Sequence, residues 1–411
     1  MEHVVVVGGS VAGMRMLSGL RRAGFEGAIT VVDPEAASPY DRPPLSKQVL
    51  LGTWEPEKAS LGDPAGEWNA RVIGERAVSL DVDTHEVGLA SGACLRYDKL
   101  VIATGAAPRT LPGSGYDGVH VLRTMTDCLA VRRSLGRGGP LVVVGGGFIG
   151  AEVASSAKAL GVPVTLVEAL PAPMSHVLGE QVGALLTELH ERNGVRVRCG
   201  VGVRGVEGSG GVEGGGRVQA VTLADGTRVP ADTVVVGIGV IPDTGWLDAS
   251  GIRLDDGVVC DEYCAAVGPE DVYAIGDVAR WFDSRAGRYV RVEHWTNATE
   301  QANTVAHNLT RPAERRPHIG RPYFWSDQHG VKIQLAGHVA ADDPVTILRD
   351  EGPKERVAAI YHDGDQLRAG LTISWPRALA EVRRALEGGL PAGDVLRSLA
   401  DLSEQPRVVH S

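Results

Sequence analysis

Two glycine-rich segments have the residue types and the spacing needed to bind a dinucleotide. The first has Gly8, Ser10 and Gly13 directly after a run of four valines, and Asp33 follows about 20 residues later. Such a loop turns tightly into a helix whose first N–H groups bind a pyrophosphate, and the acid accepts ribose hydroxyls. The segment therefore predicts a nucleotide site, with an ordinary strand–helix turn as the alternative. It leaves open which dinucleotide is bound.

The second segment repeats this arrangement further along the chain. Gly145, Gly147 and Gly150 follow the apolar run Leu141–Val144, and Glu168 ends the next predicted strand. The first and third glycines of the two copies are both 137 positions apart. Because several features share nearly the same offset, we predict two dinucleotide-binding domains built to one plan.

These residues must be positioned by alternating strands and helices. Short apolar runs predict buried parallel strands, and apolar residues at helical spacing follow each glycine loop. The C-terminal part instead alternates polar and apolar residues, as in V-K-I-Q-L-A-G (331–337), which predicts antiparallel strands. A segment at 311–322 with three prolines and four arginines separates the two patterns. The predicted fold class is α/β, with two tandem Rossmann-like domains and a C-terminal α+β domain.

Composition and charge exclude several classes of protein. The chain has 411 residues and a formal net charge of −10, and a nucleic-acid partner is disfavoured because phosphate binding needs a basic face. No apolar run has the length of a membrane span, and the first residues lack the pattern of a signal peptide. Five scattered cysteines suit a reducing cytosol, so we expect a cytoplasmic protein. We expect no metal site.

Two further segments contain candidate functional side chains. P-Y-D-R-P-P-L-S-K, residues 39–47, places Arg42 and Lys47 on a stiff loop just after the first ribose acid. From the residues alone, this is either a loop at the working end of a dinucleotide or a solvated proline loop. V-Y-A-I-G-D-V-A, residues 272–279, leaves a similar choice, because Asp277 could contact a cofactor or cap a helix.

Together these motifs resemble those of the flavin-dependent NAD(P)H:ferredoxin reductases, which are related to glutathione reductase and serve oxygenase systems. The motifs occur in that family's order, and the resemblance covers essentially the whole chain. They are the two glycine-rich segments (the dinucleotide fingerprints), R-P-P-L-S-K, the A-T-G turn, A-I-G-D, E-H-W and F-W-S-D-Q. It implies an FAD domain of residues 1–108 and 240–318. It also implies an inserted NAD domain of residues 109–239 and a C-terminal domain of residues 319–411.

The resemblance also assigns roles to individual residues. The residues implied to bind FAD are Gly8, Ser10, Ala12, Gly13, Asp33, Arg42, Lys47, Ala103, Thr104, Gly105, Arg123, Asp277, Trp295 and Trp325. The residues implied to bind the nicotinamide dinucleotide are Gly145, Gly147, Ile149, Gly150, Glu152, Glu168 and Gly239.

Lys47 and Glu152 are the predicted catalytic residues of an FAD-dependent oxidoreductase. A hydride passes from NADH to the flavin, and a nearby cation such as Lys47 can stabilise the negative charge that develops there. Glu152 would point toward the nicotinamide, and a Lys47–Glu152 pair between the two domains is our hypothesis. Glu168 predicts a preference for NADH, because a carboxylate accepts ribose hydroxyls and repels a 2′-phosphate.

The electron acceptor is inferred from a missing cysteine pair. Relatives that reduce disulphides need a C-x4-C pair after the first ribose acid, where this chain has R-P-P-L-S-K. Cys260 and Cys264 have that spacing but lie in a strand-like stretch, so we interpret them as core residues. Electrons are therefore expected to leave singly to a docked redox protein, or to pass to oxygen or a small acceptor. The resemblance implies that the redox protein is an iron–sulphur ferredoxin, of the 2Fe-2S or 3Fe-4S type, which passes the electrons on to an oxygenase.

Two other functions stay open. One is an NADH oxidase or small-molecule reductase on the same scaffold, although no dedicated cysteine is present for it. The other is a flavin-bound, redox-responsive interaction protein, similar to the apoptosis-inducing factors, which the absence of basic tails disfavours. In the leading interpretation, an acidic ferredoxin needs a local basic patch to dock on, and the arginines of segment 311–322 are the candidates. The alternative is that this segment is an exposed linker whose arginines only face solvent. These arginines are Arg311, Arg315, Arg316 and Arg321.

Overall fold

The computed structural model describes residues 2–35, 38–112, 114–210, 215–350, 355–403 and 406–409. The chain divides into two compact units, each made of three segments. Unit 1 comprises Met1–Arg42, Pro56–Ala107 and Val240–Pro322, and unit 2 comprises Pro43–Glu55, Pro108–Gly239 and Tyr323–Ser411. Within the described ranges, none of the helices has both the length and the apolar character that crossing a membrane requires.

The strands are numbered in chain order. They are β1 (His3–Val7), β2 (Ala28–Val32), β3 (Arg71–Ile73), β4 (Ala77–Asp81), β5 (Glu86–Leu89), β6 (Cys94–Arg96), β7 (Lys99–Ile102), β8 (Ala106–Pro108), β9 (Val119–Val121), β10 (Leu141–Val144), β11 (Val164–Val167), β12 (Arg196–Arg198), β13 (Val203–Gly208), β14 (Val218–Leu223), β15 (Arg228–Pro230), β16 (Thr233–Val236), β17 (Val240–Pro242), β18 (Val258–Cys260), β19 (Val272–Ala274), β20 (Ala279–Asp283), β21 (Arg288–Val290), β22 (Tyr323–Gln328), β23 (Val331–Gly337), β24 (Val345–Asp350), β25 (Arg356–Asp363), β26 (Gln366–Ile373) and β27 (Pro406–Val409).

The helices follow the same convention. They are α1 (Val11–Arg22), α2 (Gln48–Leu51), α3 (Pro64–Trp68), α4 (Met125–Gly136), α5 (Phe148–Ala159), α6 (Ser175–Arg192), α7 (Trp295–Thr310), α8 (Pro376–Gly388) and α9 (Ala392–Asp401). Short 3-10 turns occur at Pro43–Ser46, Pro56–Ala59, Gly245–Leu247, Gly276–Val278 and Pro312–Glu314.

A parallel five-stranded sheet lies at the centre of unit 1, in the order β19–β7–β1–β2–β3. β1 pairs in parallel with β2 and β7, and the valines of β1 from Val4 to Val7 are buried, as a parallel strand covered on both faces requires. Leu17 and Leu20 of α1 pack into the same apolar core as Ala302 and Val305 of α7. This topology puts the carboxyl ends of β1, β2 and β7 at one sheet edge, where ligands bind in open α/β sheets.

Unit 2 contains a second sheet of the same design, in the order β12–β11–β10–β16–β9. β10 pairs in parallel with β11 and β16, as β1 does with β2 and β7. All four residues of β10 are buried. The predicted duplication is therefore present in the strand pairing as well as in the glycine spacing.

The C-terminal part of unit 2 is a six-stranded sheet in the order β22–β23–β26–β25–β24–β27, with antiparallel pairing throughout. Leu379 and Val382 of α8 pack into an apolar cluster on this sheet, together with Leu399 of α9. A second cluster joins the sheet to Leu178 and Val182 of α6. The predicted fold class, two Rossmann-like halves followed by an α+β region, is confirmed.

Candidate functional site

The first glycine loop lies at the carboxyl end of β1 and has no room for side chains. Gly8 has a φ of 118°, and a Cβ on it would lie 2.1 Å from the carbonyl oxygen of Ala103. A Cβ on Gly13 would lie 2.0 Å from the carbonyl oxygen of Gly8. Both side chains would collide with backbone, so glycine is required at each position. The same close approach brings the Ala103–Gly105 turn beside the loop.

Asp33 is oriented by backbone N–H groups at this edge of the sheet. Its Oδ2 accepts a hydrogen bond from Gly9 N at 2.8 Å, and its Oδ1 accepts one from Glu35 N at 2.7 Å. Ser10 precedes the first residue of α1 with a φ of −87°, which any residue can adopt. Serine at the second fingerprint position therefore costs the backbone nothing.

The second loop reproduces these contacts. Gly145 has a φ of 100°, and a Cβ there would lie 2.3 Å from the carbonyl oxygen of Gly237. A Cβ on Gly150 would lie 2.0 Å from the oxygen of Gly145. Gly146 N donates to Glu168 Oε2 at 2.7 Å, as the corresponding glycine does to the acid of the first loop. The duplication therefore extends to individual hydrogen bonds.

Glu168 presents its carboxylate at a partly exposed position beside the second loop. Its second oxygen accepts a hydrogen bond from Leu170 N at 2.9 Å. Gly147 is the residue before α5 and has a φ of −68°, whereas Ile149 in the first turn of that helix is 43% exposed. Gly239 has a φ of 93°, and its oxygen accepts from Arg109 N at 3.0 Å.

Three more stretches of unit 1 converge near the first loop. The Thr104 hydroxyl donates to the oxygen of Asp243 at 2.8 Å, which fixes the A-T-G turn. Gly276, whose N–H donates to Gln301 Oε1 at 2.7 Å, would carry a Cβ 3.2 Å from that of Ala12. Asp277 follows Gly276 in a 3-10 turn, so this acid lies close to the start of α1.

Trp295, the first residue of α7, is held by polar partners within unit 1. Its indole Nε1 donates to Asp41 Oδ1 at 2.8 Å, and the guanidinium carbon of Arg15 lies 5.7 Å from the ring centroid. Arg42 is the residue after Asp41 and is partly buried. The sequence did not single out Asp41, although it lies inside the P-Y-D-R-P-P motif.

Unit 2 contains a buried ion pair between the two predicted catalytic residues. Lys47 Nζ lies 2.6 Å from Glu152 Oε2, and the two side chains are 10% and 4% exposed. The Ser46 hydroxyl donates to the same carboxylate oxygen, and the Ser326 hydroxyl donates to the other one at 2.7 Å. The pair therefore forms, but both residues belong to unit 2, so the expectation that it bridges two domains is not met by this division of the chain. Three donors surround its carboxylate.

The loop carrying Lys47 is tied to helices of unit 2. The Ser156 hydroxyl of α5 donates to the oxygen of Ser46 at 2.7 Å, and the Cys128 thiol of α4 donates to the oxygen of Leu45 at 3.1 Å. Burial raises the pKa of the Cys128 thiol to about 11, so it stays protonated and able to donate. These contacts explain why residues 43–55 belong to unit 2 although the residues before and after them belong to unit 1.

The residues implied to bind FAD are divided between the two units. Most belong to unit 1, but Lys47, Arg123 and Trp325 belong to unit 2. Arg123 precedes α4, and its backbone N–H donates to Asp127 Oδ2 at 3.1 Å. Trp325 lies in β22, where its ring stacks on that of Tyr323 at 6.2 Å. All the residues implied to bind the nicotinamide dinucleotide belong to unit 2.

Ser46 and Ser326 are site residues that the sequence did not identify as such. Both lie inside quoted motifs, R-P-P-L-S-K and F-W-S-D-Q, so motif membership was the available signal. Cys260 and Cys264, interpreted as core, are fully buried, which confirms that interpretation. The four arginines of the 311–322 segment are exposed, and the Arg315 guanidinium lies 3.7 Å from Asp261.

The residues present fit two bound dinucleotides. In each loop, a Cβ added at the first or last of its motif glycines (Gly8 and Gly13, Gly145 and Gly150) would collide with backbone. Each loop also has a carboxylate held by a backbone N–H at the end of the next strand. Such a pair of sites matches one FAD and one nicotinamide dinucleotide. Among the described residues, no group of His, Cys, Asp and Glu could hold a metal ion.

Comparison with known families agrees with this geometry. Residues 2–302 match the pyridine nucleotide-disulphide oxidoreductase family, and residues 323–405 match the reductase C-terminal family. The chain therefore belongs to the pyridine nucleotide-disulphide oxidoreductases, and it is an oxidoreductase that uses FAD and NADH.

Individual relatives are similar over nearly their whole length. Putidaredoxin reductase CamA of Pseudomonas putida is 35% identical over 95% of this chain and 93% of its own. The ferredoxin–NAD(+) reductase component of the p-cumate 2,3-dioxygenase system, from the same species, is 36% identical over 93% and 92%. The crystal structure of a covalent putidaredoxin reductase–putidaredoxin complex matches with a TM-score of 0.88 and 32% identity, over 97% and 98%. The predicted resemblance to this group of reductases is confirmed.

Proposed function

We propose that this chain is the NADH-dependent reductase that passes electrons, one at a time, to an iron–sulphur ferredoxin of an oxygenase system. One relative is named as the ferredoxin–NAD(+) reductase component of a dioxygenase system, and another as a putidaredoxin reductase. The observation that carries the proposal is the chemistry of the 39–47 loop, which has a lysine and three prolines where disulphide-reducing members need two cysteines. Without that pair the electrons have no disulphide to reduce.

The two loops have separate roles in this proposal. The loop of Gly8, Ser10, Ala12 and Gly13, with Asp33, holds FAD, and the loop of Gly145, Gly147 and Gly150 holds NADH. FAD held there would supply the hydride-accepting and one-electron-releasing chemistry. The remaining residues implied for FAD are Arg42, Lys47, Ala103, Thr104, Gly105, Arg123, Asp277, Trp295 and Trp325. Those for NADH are Ile149, Glu152, Glu168 and Gly239.

Lys47 supplies the positive charge of the site. A buried ammonium acts more strongly on nearby charge than one in water, because the surrounding dielectric is low. Glu152 holds this ammonium at 2.6 Å and so prevents it from rotating away. A carboxylate has about four lone-pair positions, and the donors of Ser46, Lys47 and Ser326 occupy three of them.

Glu168 selects NADH over NADPH in this proposal. Gly146 N and Leu170 N hold the carboxylate beside the second loop, where an adenosine ribose binds. A 2′-phosphate about 4 Å away would be repelled by roughly 4 kcal/mol at an effective dielectric of about 20, and solvent screening lowers this because Glu168 is partly exposed.

The proposal also covers organisation and location. The FAD domain comprises residues 1–108 and 240–318, the NAD domain residues 109–239, and the C-terminal domain residues 319–411. The protein acts in the cytoplasm, and the ferredoxin docks near the arginines of the 311–322 segment. Replacing Arg311 and Arg316 together should weaken ferredoxin binding and its salt dependence while leaving the reduction of FAD by NADH unchanged.

The decisive experiment follows NADH-driven reduction of cytochrome c with and without added ferredoxin. A panel of two-iron and three-iron ferredoxins should include at least one that the enzyme reduces, and cytochrome c reduction should depend on it. Rapid peroxide release from NADH and oxygen without any ferredoxin, and no acceleration by the panel, would instead identify an NADH oxidase.

A further inference from the structure

A buried row of polar side chains leads away from the Glu152 carboxylate within unit 2. The Ser326 hydroxyl donates to Glu152 Oε1 at 2.7 Å, and Gln328 Nε2 donates to the Ser326 oxygen at 3.0 Å. Ser326 and Gln328 are almost inaccessible to solvent, and both lie in β22. Because the glutamine amide donates to Ser326, the serine proton is directed toward the carboxylate.

The row continues through two histidines. His190, fully buried near the end of α6, has its Nδ1 2.9 Å from Nε2 of His329, in the turn after β22. In the described part of the chain, His190 Nε2 and Gln328 Oε1 are buried atoms outside any well-formed hydrogen bond. His190 Nε2 can donate a hydrogen bond, and Gln328 Oε1 can accept one. The Gln328 side chain also affects the pKa of His190, which it raises slightly against the larger lowering caused by burial.

The protonation of the two imidazole rings decides which atom of each hydrogen bond in this row is the donor. Burial, then the neighbouring His329, lowers the pKa of His190 to about 4. Burial, then Lys158, lowers the pKa of His329 to about 4. Both rings are therefore neutral at pH 7, and each carries a single N–H.

Only one arrangement of the two protons makes His190 Nε2 a donor and so allows it to pair with Gln328 Oε1. If His329 Nε2–H donates to His190 Nδ1, the proton of His190 is on Nε2, and Gln328 Oε1 is the buried acceptor we assign to it. If the protons are reversed, His190 Nε2 and Gln328 Oε1 are both acceptors, and neither can satisfy the other. An unsatisfied buried acceptor is costly, so the first arrangement is favoured.

We propose that His329, His190, Gln328 and Ser326 form a one-way hydrogen-bond chain that positions the Glu152 carboxylate and, through it, the Lys47 ammonium. Every donor in the chain points toward Glu152, and hydrogen bonds aligned in this way strengthen one another. The four residues are positioning residues. The inference rests on the catalytic role proposed for Lys47 and Glu152.

The row of hydrogen bonds gives a role to the hairpin of β22 and β23, whose Phe324 ring lies 4.2 Å from that of Phe148 at the start of α5. Helix α5 carries Glu152 and Ser155 one turn apart, and the His329 N–H donates to the Ser155 hydroxyl at 2.7 Å. The hairpin of β22 and β23 is thus fastened to α5 by two serine contacts. The Ser326 hydroxyl binds the carboxylate directly, whereas the Ser155 hydroxyl binds the backbone N–H of His329 and not its ring, so S155A offers a matched control at the same interface.

The test compares S326A, S326T and S155A in the FAD-loaded enzyme. Stopped-flow reduction by NADH should be slowed about tenfold in S326A, with the Kd of NADH changed less than about twofold, because a hydrogen bond to a charged group is lost. S326T restores the hydroxyl and should recover most of the rate. S155A removes a hydroxyl from the same interface and should lower the melting temperature similarly but leave the reduction rate unchanged.

A second readout does not depend on activity. In enzyme labelled with 15N-histidine, the His190 ring should be neutral with its proton on Nε2 at pH 7, and its signals are assigned by their loss in H190F. A proton on Nδ1 of His190 would overturn the chain, as would S326A and S155A slowing reduction equally. If S326A reduces FAD at the wild-type rate while K47A is slow, the hydrogen-bond chain is refuted and the catalytic role of Lys47 is retained. A wild-type rate in K47A overturns the catalytic role on which the chain rests.

Discussion

Replacing Lys47 by alanine leaves the Glu152 carboxylate buried without its cation. At the observed 2.6 Å, the attraction between the two charges is about 6 kcal/mol at an effective dielectric of about 20. Ser46 and Ser326 still donate to the carboxylate, and water entering the space left by the lysine offsets part of the loss. We therefore expect K47A to destabilise the region around α5 by about 3–5 kcal/mol, the usual cost of breaking a buried pair.

The double variant separates this mechanism from simple loss of packing. E152A should be costly by itself because it leaves a buried ammonium, but K47A/E152A leaves neither charge unpaired. The cost of the double variant should therefore be smaller than the sum of the single variants by about 3 kcal/mol. Hydrogen exchange of the amides in Phe148–Ala159 measures the local opening free energy without requiring the whole chain to unfold in two states.

A partly exposed ion pair in unit 1 provides the control. Lys99 and Asp271 form a pair in which each side chain is 29% exposed. K99A should cost about 1 kcal/mol or less, because solvent already screens that pair. If K47A costs no more than K99A, or if the Lys47 and Glu152 variants are additive, the charges are not coupled and the electrostatic argument is wrong.

Three further predictions concern the glycine loops, the second ribose acid and a buried histidine. G13A should lose FAD on purification, whereas G150A should keep FAD and lose NADH binding, because each added Cβ would lie 2.0 Å from a backbone oxygen. The control is G202A, which has open space around its Cβ and should bind both cofactors. E168Q should lower the ratio of kcat/KM for NADH to that for NADPH by about tenfold, and an unchanged ratio would contradict the role of the charge. Burial lowers the pKa of His318 to about 4, below its usual 6.5. Between these two pH values the unfolded chain binds the proton and the folded chain does not. Unit 1 should therefore lose stability as the pH falls from 6.5 to 4, by about 1.4 kcal/mol per pH unit. Urea unfolding of H318N across this range should show a shallower loss, and equal slopes in both proteins would rule out His318 as the source.

The glycine loops could be predicted from the sequence because their requirements are local. A tight turn between a strand and a helix fixes where Gly8 and Gly145 must lie, and the acid at the next strand end follows from the length of one helix. Four valines in β1 and the alternation in β23 likewise reveal which faces are buried. Such patterns depend on neighbours within about 30 residues of one another.

Contacts across long separations could not be predicted in the same way. Ser326 lies 174 positions from Glu152, and neither residue has a pattern that indicates the other. Similarly, no local signal assigns residues 43–55 to unit 2, because that depends on where the oxygens of Leu45 and Ser46 find donors. Ser10 stands where the G-x-G-x-x-G pattern has its second glycine, and its φ of −87° shows a position where a side chain is tolerated.

The three segments that meet at Glu152 also set an order of assembly during synthesis. Lys47 and Glu152 have both left the ribosome long before Ser326, which is made 174 residues after Glu152. At about 5–20 residues per second, this interval is roughly 10–35 s. Until the hairpin of β22 and β23 arrives, the carboxylate lacks one of its donors. A nascent or truncated chain that ends before residue 323 therefore has both glycine loops but lacks the Ser326 donor of the charge site.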